Sequence, residues 1–99
     1  MFFSAEYQNK RYECGEEIKL VEKKPVNFQI EIKNLKEPSQ LQITKNGLKF
    51  FAIGLSEKKD QRITLSDSAK ENSWYRCEIY TKEDKELLCF TNPVSIRLF

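Results

Sequence analysis

The side chains that most often carry chemistry are few and poorly matched in this sequence. Histidine does not occur among the 99 residues, which rules out a Ser-His-Asp triad, a Cys-His pair and any His-ligated metal. Three cysteines, Cys14, Cys77 and Cys89, form no CxxC pair, and an odd number suits a disulfide framework poorly. Carboxylates are plentiful, but none sits beside a distinctive acid–base motif. The expectation is a chain with no catalytic residue, no metal and no cofactor. Recognition remains. Trp74, Arg76, Glu78 and Tyr80 are alternate residues of one stretch, so on a strand they share an outward face. Exposed aromatic patches usually mark an interaction surface. Trp74 and Tyr80 can stack on a sugar ring or lie under a neighbouring domain. Arg76 and Glu78 can pair with a neighbouring strand or with that domain. These four are the candidate interaction surface.

The element that would hold them is the segment 74–80. Its other alternate residues, Tyr75, Cys77 and Ile79, supply the inward face. Thr81 to Glu86 is polar and turns the chain. Leu88 and Phe90 resume an apolar alternation, Asn92-Pro93 stops it because proline cannot donate to a ladder, and Val94, Ile96 and Leu98 make a last strand. Cys77 and Cys89 share a face, and so could pair, only if the loop between them is odd in length, whereas a two-residue loop at Glu83-Asp84 or Asp84-Lys85 sets them on opposite faces. As free thiols both would serve as small buried hydrophobes.

Earlier in the chain, residues 26–33 alternate cleanly, with Val26, Phe28, Ile30 and Ile32 inward. Residues 2–8 are a first strand or a lead-in, with residues 1–13 a candidate connection from an upstream domain. Asn9 to Gly15 reads as a loop, Glu16 to Val21 as a short strand, and Lys23-Lys24-Pro25 as its end. Asn46-Gly47 sits between two apolar runs and predicts a type I′ hairpin. A two-residue loop sets Ile43 opposite Phe50 and Leu41 opposite Ala52, leaving Phe51 and Ile53 on the other face. Ser56 to Gln61 reads as a charged loop, Ile63 and Leu65 as a short strand, and Asp67 to Ser73 as one helical turn capped by Asp67 or Ser68.

Short strands separated by turn residues, with no sustained helical period, predict an all-β fold. Its expected form is an immunoglobulin-like antiparallel β-sandwich of about seven strands, with a small barrel as the alternative. Tyr75-Arg76-Cys77, preceded by Asp67, imitates a tyrosine corner. The cysteine and tryptophan positions of antibody domains are not reproduced, since the strand at 26–33 has no Cys and the one Trp is Trp74. Ninety-nine residues suffice for one domain.

Seventeen Lys and Arg face 15 Asp and Glu, a net charge of +2. The signs are interleaved, as in Ser56-Glu57-Lys58-Lys59-Asp60-Gln61-Arg62, rather than gathered into the basic patch nucleic acid requires. No run approaches the roughly 20 apolar residues of a membrane span, and Met1-Phe2-Phe3 opens no signal-peptide core. The expectation is a cytoplasmic protein that binds neither nucleic acid nor membrane.

Three segments resemble the C-terminal β-sandwich region that follows the catalytic domain in bacterial PHP-superfamily metal-dependent hydrolases. They are Cys14-Gly15-Glu16-Glu17-Ile18, Ile43-Thr44-Lys45-Asn46-Gly47-Leu48, and the pair formed by 74–80 with Phe90-Thr91-Asn92-Pro93-Val94. The resemblance implies a non-catalytic accessory module joined to a catalytic hydrolase domain within one chain. It carries over no catalytic residue, because the ligand motifs of that domain are not in this sequence. The alternative is a free-standing module that binds carbohydrate or protein.

Overall fold

Alternation dictates two sheets with their apolar faces together, and that is the architecture. The structure, a computed structural model, describes residues 1–21, 24–56, 58–83 and 85–98, and their side chains except those of Asn34, Lys58 and Lys59. Among the described residues there are ten strands: β1 Phe2–Tyr7, β2 Lys10–Glu13, β3 Glu17–Leu20, β4 Val26–Leu35, β5 Ser39–Lys45, β6 Leu48–Leu55, β7 Lys58–Asp67, β8 Ser73–Thr81, β9 Leu87–Phe90 and β10 Val94–Leu98. One sheet has the order β2-β1-β4-β7. The other has the order β3-β10-β8-β5-β6, with β9 also on β8. The fold is an all-β sandwich. Its inner faces meet in a core that includes Phe3, Phe28, Ile30, Leu41, Ile43, Tyr75, Cys77 and Val94, all at most 1% exposed.

Strand β4 behaves as its alternation predicts, burying Val26, Phe28, Ile30 and Ile32 between β1 and β7. Tyr75, Cys77 and Ile79 of β8 are likewise buried. Strand β1 lies between β2 and β4, with Phe3, Ala5 and Tyr7 in the core.

The count exceeds seven because charged segments also pair. Residues 10–13, expected in a loop, form β2 through a turn in which Gln8 and Asn9 both take positive φ, 51° and 62°. Glutamine rarely adopts that region, so the sequence carries little turn signal there. Residues expected in a charged loop before Gln61 belong to β7, which pairs with β4 as far as Lys58 opposite Leu35. An edge strand gains from charge because charge blocks further pairing, and the same charge hides the strand from a hydrophobicity reading. Among the described strands one pair is not antiparallel: β3 runs parallel to β10.

No helical turn occupies 67–73. Strand β7 runs to Asp67 and the chain then bends. The Asp67 carboxylate, which resembled an N-cap, instead accepts hydrogen bonds from Tyr75 Oη at 2.6 Å and Lys45 Nζ at 2.8 Å. Burial favours the protonated acid, but these bonds from Lys45 and Tyr75 outweigh it and hold the carboxyl below its usual range. The expected break at Lys23 and the hairpin tip at Asp84 lie outside the described residues.

Asn46 and Gly47 adopt φ of 53° and 86°, the two positive angles a type I′ turn needs. The register beyond it differs by one residue: Ile43 faces Phe51 and Leu41 faces Ile53. A bulge between Ile43 and Thr44 absorbs the extra residue and brings Phe51 and Ile53 to the inward side. Phe50 meets Tyr75 edge-on at 5.9 Å. A Cβ at Gly47 would meet no atom within 4 Å, so Gly47→Val carries a purely conformational cost. It should lower stability by about 1–3 kcal/mol, read as a lower urea midpoint with an unchanged slope.

All three cysteines are free. Cys89 lies opposite Ile79 rather than Cys77, and that offset denies the two thiols a facing position. Burial pushes the Cys77 thiol up to about 12 and also raises Cys14 and Cys89. Thiol titration in denaturant without reductant should therefore count three groups, with Cys77 unreactive until the chain unfolds; a count of one would refute this.

Candidate functional site

Strand β8 is the centre of the larger sheet. It pairs with β5 along one side, and with β10 then β9 along the other. Two short strands can share one side because Pro93 interrupts the ladder. At the break, the Thr91 hydroxyl accepts from the Cys77 amide at 3.1 Å and the Thr91 amide donates to the Cys77 carbonyl at 2.9 Å. The continuity of β8 therefore survives the interruption in its partner.

Trp74, Arg76, Glu78 and Tyr80 alternate with the buried residues of β8, so all four lie on its outer side, as the sequence predicts. Trp74 is fixed at the strand's start, where its amide donates to Asn46 Oδ1 at 3.0 Å and its carbonyl accepts from the Asn46 amide at 3.1 Å. The hairpin turn thus clasps the base of the array. The Arg76 guanidinium sits 5.8 Å from the centre of the Trp74 ring, a cation–π distance.

Glu78 is the hub. Although on an outer face, it is only 6% exposed, because three donors converge on it. Thr44 Oγ1 donates at 2.7 Å, Arg76 Nη2 at 3.3 Å, and the Tyr80 hydroxyl to the second carboxylate oxygen. Burial alone would raise the Glu78 carboxyl; the bonds from Tyr80 and Thr44 and the charge of Arg76 outweigh it and hold the acid below its usual value. The same bond to Glu78 raises the Tyr80 phenol. Arg76 Nε is buried with no hydrogen-bond partner among the described residues, so the guanidinium is not fully satisfied.

Three participants escape a reading of β8 alone. Thr44 joins because it lies opposite Arg76 in the β5–β8 register, a pairing between strands distant in sequence. Phe90 lies opposite Glu78 on β9 and is 62% exposed. Leu87, opposite Tyr80, is also exposed. The array therefore consists of a locked polar centre with Trp74 at one end and exposed apolar groups on β9 alongside.

The arrangement can present a hydrogen-bonded, mixed aromatic and charged surface. Among the described residues, no group of three or more Cys, Asp and Glu could hold a metal ion, and no helix is long and apolar enough to cross a membrane. Fold and array together define a two-sheet all-β sandwich whose larger sheet carries a built polar and aromatic outer face. No protein-family model, curated protein or solved structure matches the chain.

Proposed function

We propose that this chain is a non-catalytic interaction module of immunoglobulin-like type whose outer β8 face docks on another folded protein domain. The observation that carries the reading is Phe90, 62% exposed, directly beside the Glu78 hub. Aromatic residues and arginine are enriched at interface cores. Here the charges beside them are mutually neutralised before any partner arrives, which lowers the desolvation cost of covering them. The immunoglobulin-like reading is supported by β4 and β7 pairing in one sheet while β5, β8 and β10 share the other, and by the Tyr75–Asp67 bond between β8 and the end of β7.

The identity of the docked domain as a metal-dependent hydrolase rests on the sequence resemblance alone. The geometry weighs against a saccharide platform. Trp74 and Tyr80 are six residues apart, about 20 Å along a strand; Arg76 lies by the Trp74 ring, and the Tyr80 hydroxyl is engaged with Glu78.

Trp74 is the chain's one tryptophan and reports on its own face. Acrylamide should quench its fluorescence at least about twofold less in the longest polypeptide the gene encodes than in the isolated 99-residue chain. Trp74→Ala should change the isolated domain's stability by less than about 1 kcal/mol while loosening its contact with the neighbour. Equal quenching in both, or a gene that encodes nothing beyond these residues, would overturn the intramolecular reading.

A further inference from the structure

The outer edge of the larger sheet is built differently from most other edges of the sandwich. Strand β6 pairs with β5 alone among the described residues, so one row of its backbone donors and acceptors has no strand beside it. Edges are normally blunted by charge or by shortness. Strand β7, Lys58–Asp67, holds five charged residues; β2 and β3 are four residues long and carry charge; β9 is uncharged but also only four residues long. Strand β6 runs eight residues, Leu-Lys-Phe-Phe-Ala-Ile-Gly-Leu, with Lys49 its one charge. Phe50 and Ile53 are 37% and 41% exposed.

The two sides of this edge differ. Toward the core side stand Phe50, which meets the buried Tyr75 ring, and Ile53, opposite the buried Leu41. Toward the outer side stand Ala52 and Gly54, opposite Gln42 and Gln40, and Lys49, opposite Thr44. A cation marks each end of that outer side. Lys49 is at one, and at the other the Lys82 Nζ lies 3.6 Å from where a Gly54 Cβ would stand. Lys49 and Gly54 are five residues apart, about 17 Å. Neither lysine forms an ion pair with a carboxylate among the described residues.

We infer that β6 accepts an added β-strand from a partner whose alternate residues are acidic and apolar. Its carboxylates would meet Lys49 and Lys82 while its apolar residues cover Phe50 and Ile53. Strand addition gives affinity through the backbone and specificity through alternate side chains. A second copy of this chain is the poorer occupant, because two β6 edges side by side bring the same lysines to one face, and like charges there are unfavourable. This inference does not depend on what covers the outer face of β8.

The test uses a blocked, fluorescently labelled nine-residue peptide alternating Val and Glu, and its counterpart alternating Val and Lys. Anisotropy should show the Glu peptide binding about tenfold more tightly, the size expected of two exposed ion pairs, with salt narrowing the difference. Amide exchange should slow specifically within Leu48–Leu55. In the double variant Lys49→Glu, Lys82→Glu, whose exposed positions leave the denaturation midpoint unchanged, the preference should reverse. No binding of the Glu peptide, equal binding of both peptides, protection confined to β9, or self-association of the protein through β6 would each overturn the proposal.

Discussion

Phe28→Ala should cost about 3–5 kcal/mol, against the roughly 5–15 kcal/mol total stability expected of a small domain. Phe28 is 1% exposed and joins the two sheets. Its ring stacks on Phe3 of its own sheet at 5.6 Å and tilts against Tyr75 of the opposite sheet at 4.5 Å. It also lies opposite Ala5 on β1 and Leu65 on β7, so truncation opens a void walled by three strands of one sheet and the centre of the other. Phe2 supplies the control. It neighbours Phe3 but is 58% exposed, and Phe2→Ala should stay within about 0.5 kcal/mol. Urea unfolding of both variants measures the contrast: the Phe28→Ala midpoint should fall sharply with little change in slope. Equal midpoints would mean that the sheets are not held together through this ring.

What made Phe28 legible was its surroundings. A strand with core on one side and water on the other must alternate, and β4 does so without exception from Val26 to Ile32. Asn46-Gly47 was legible because positive φ at two successive positions selects for those residue types. Strands β2 and β7 were not, since edge strands carry the charge that a hydrophobicity reading assigns to loops. The bulge at Ile43/Thr44 leaves no mark in the sequence, and one residue of slip exchanges the faces of a strand. That is why Phe51 and Ile53 were expected on the wrong side. Asp67 had the composition of a cap, but its partners Lys45 and Tyr75 are 22 and eight residues away in sequence.

The candidate face was legible in membership but not in depth. Alternation put Trp74, Arg76, Glu78 and Tyr80 together, and they do share the outer side of β8. It could not show that Glu78 would be buried there, because its burial depends on Thr44, a residue 34 positions away. Nor could it show Phe90 beside Glu78, which depends on the β8–β9 register.

Glu78→Ala should be the most damaging change on that face, at about 2–3 kcal/mol. It removes the acceptor of Thr44, Arg76 and Tyr80 together and strands a guanidinium whose Nε already has no partner. Glu78→Gln keeps an acceptor oxygen and the side chain's shape, so it should cost less and chiefly lose the attraction to Arg76. Acid titration separates charge from shape. The folded-state carboxyl of Glu78 is lowered, so as pH falls the unfolded chain takes up its proton first. Stability contributed by this group is therefore present above the ordinary carboxylate value of about 4.3 and is lost as pH falls through the folded value. Asp67 is lowered as well and contributes with the same sign. In Glu78→Gln the acid decline in unfolding free energy should be shallower, retaining only the part due to Asp67 and other carboxylates. A Glu78→Ala protein within about 0.5 kcal/mol of the parent, with an unaltered acid limb, would mean that the carboxylate is not the hub of this face.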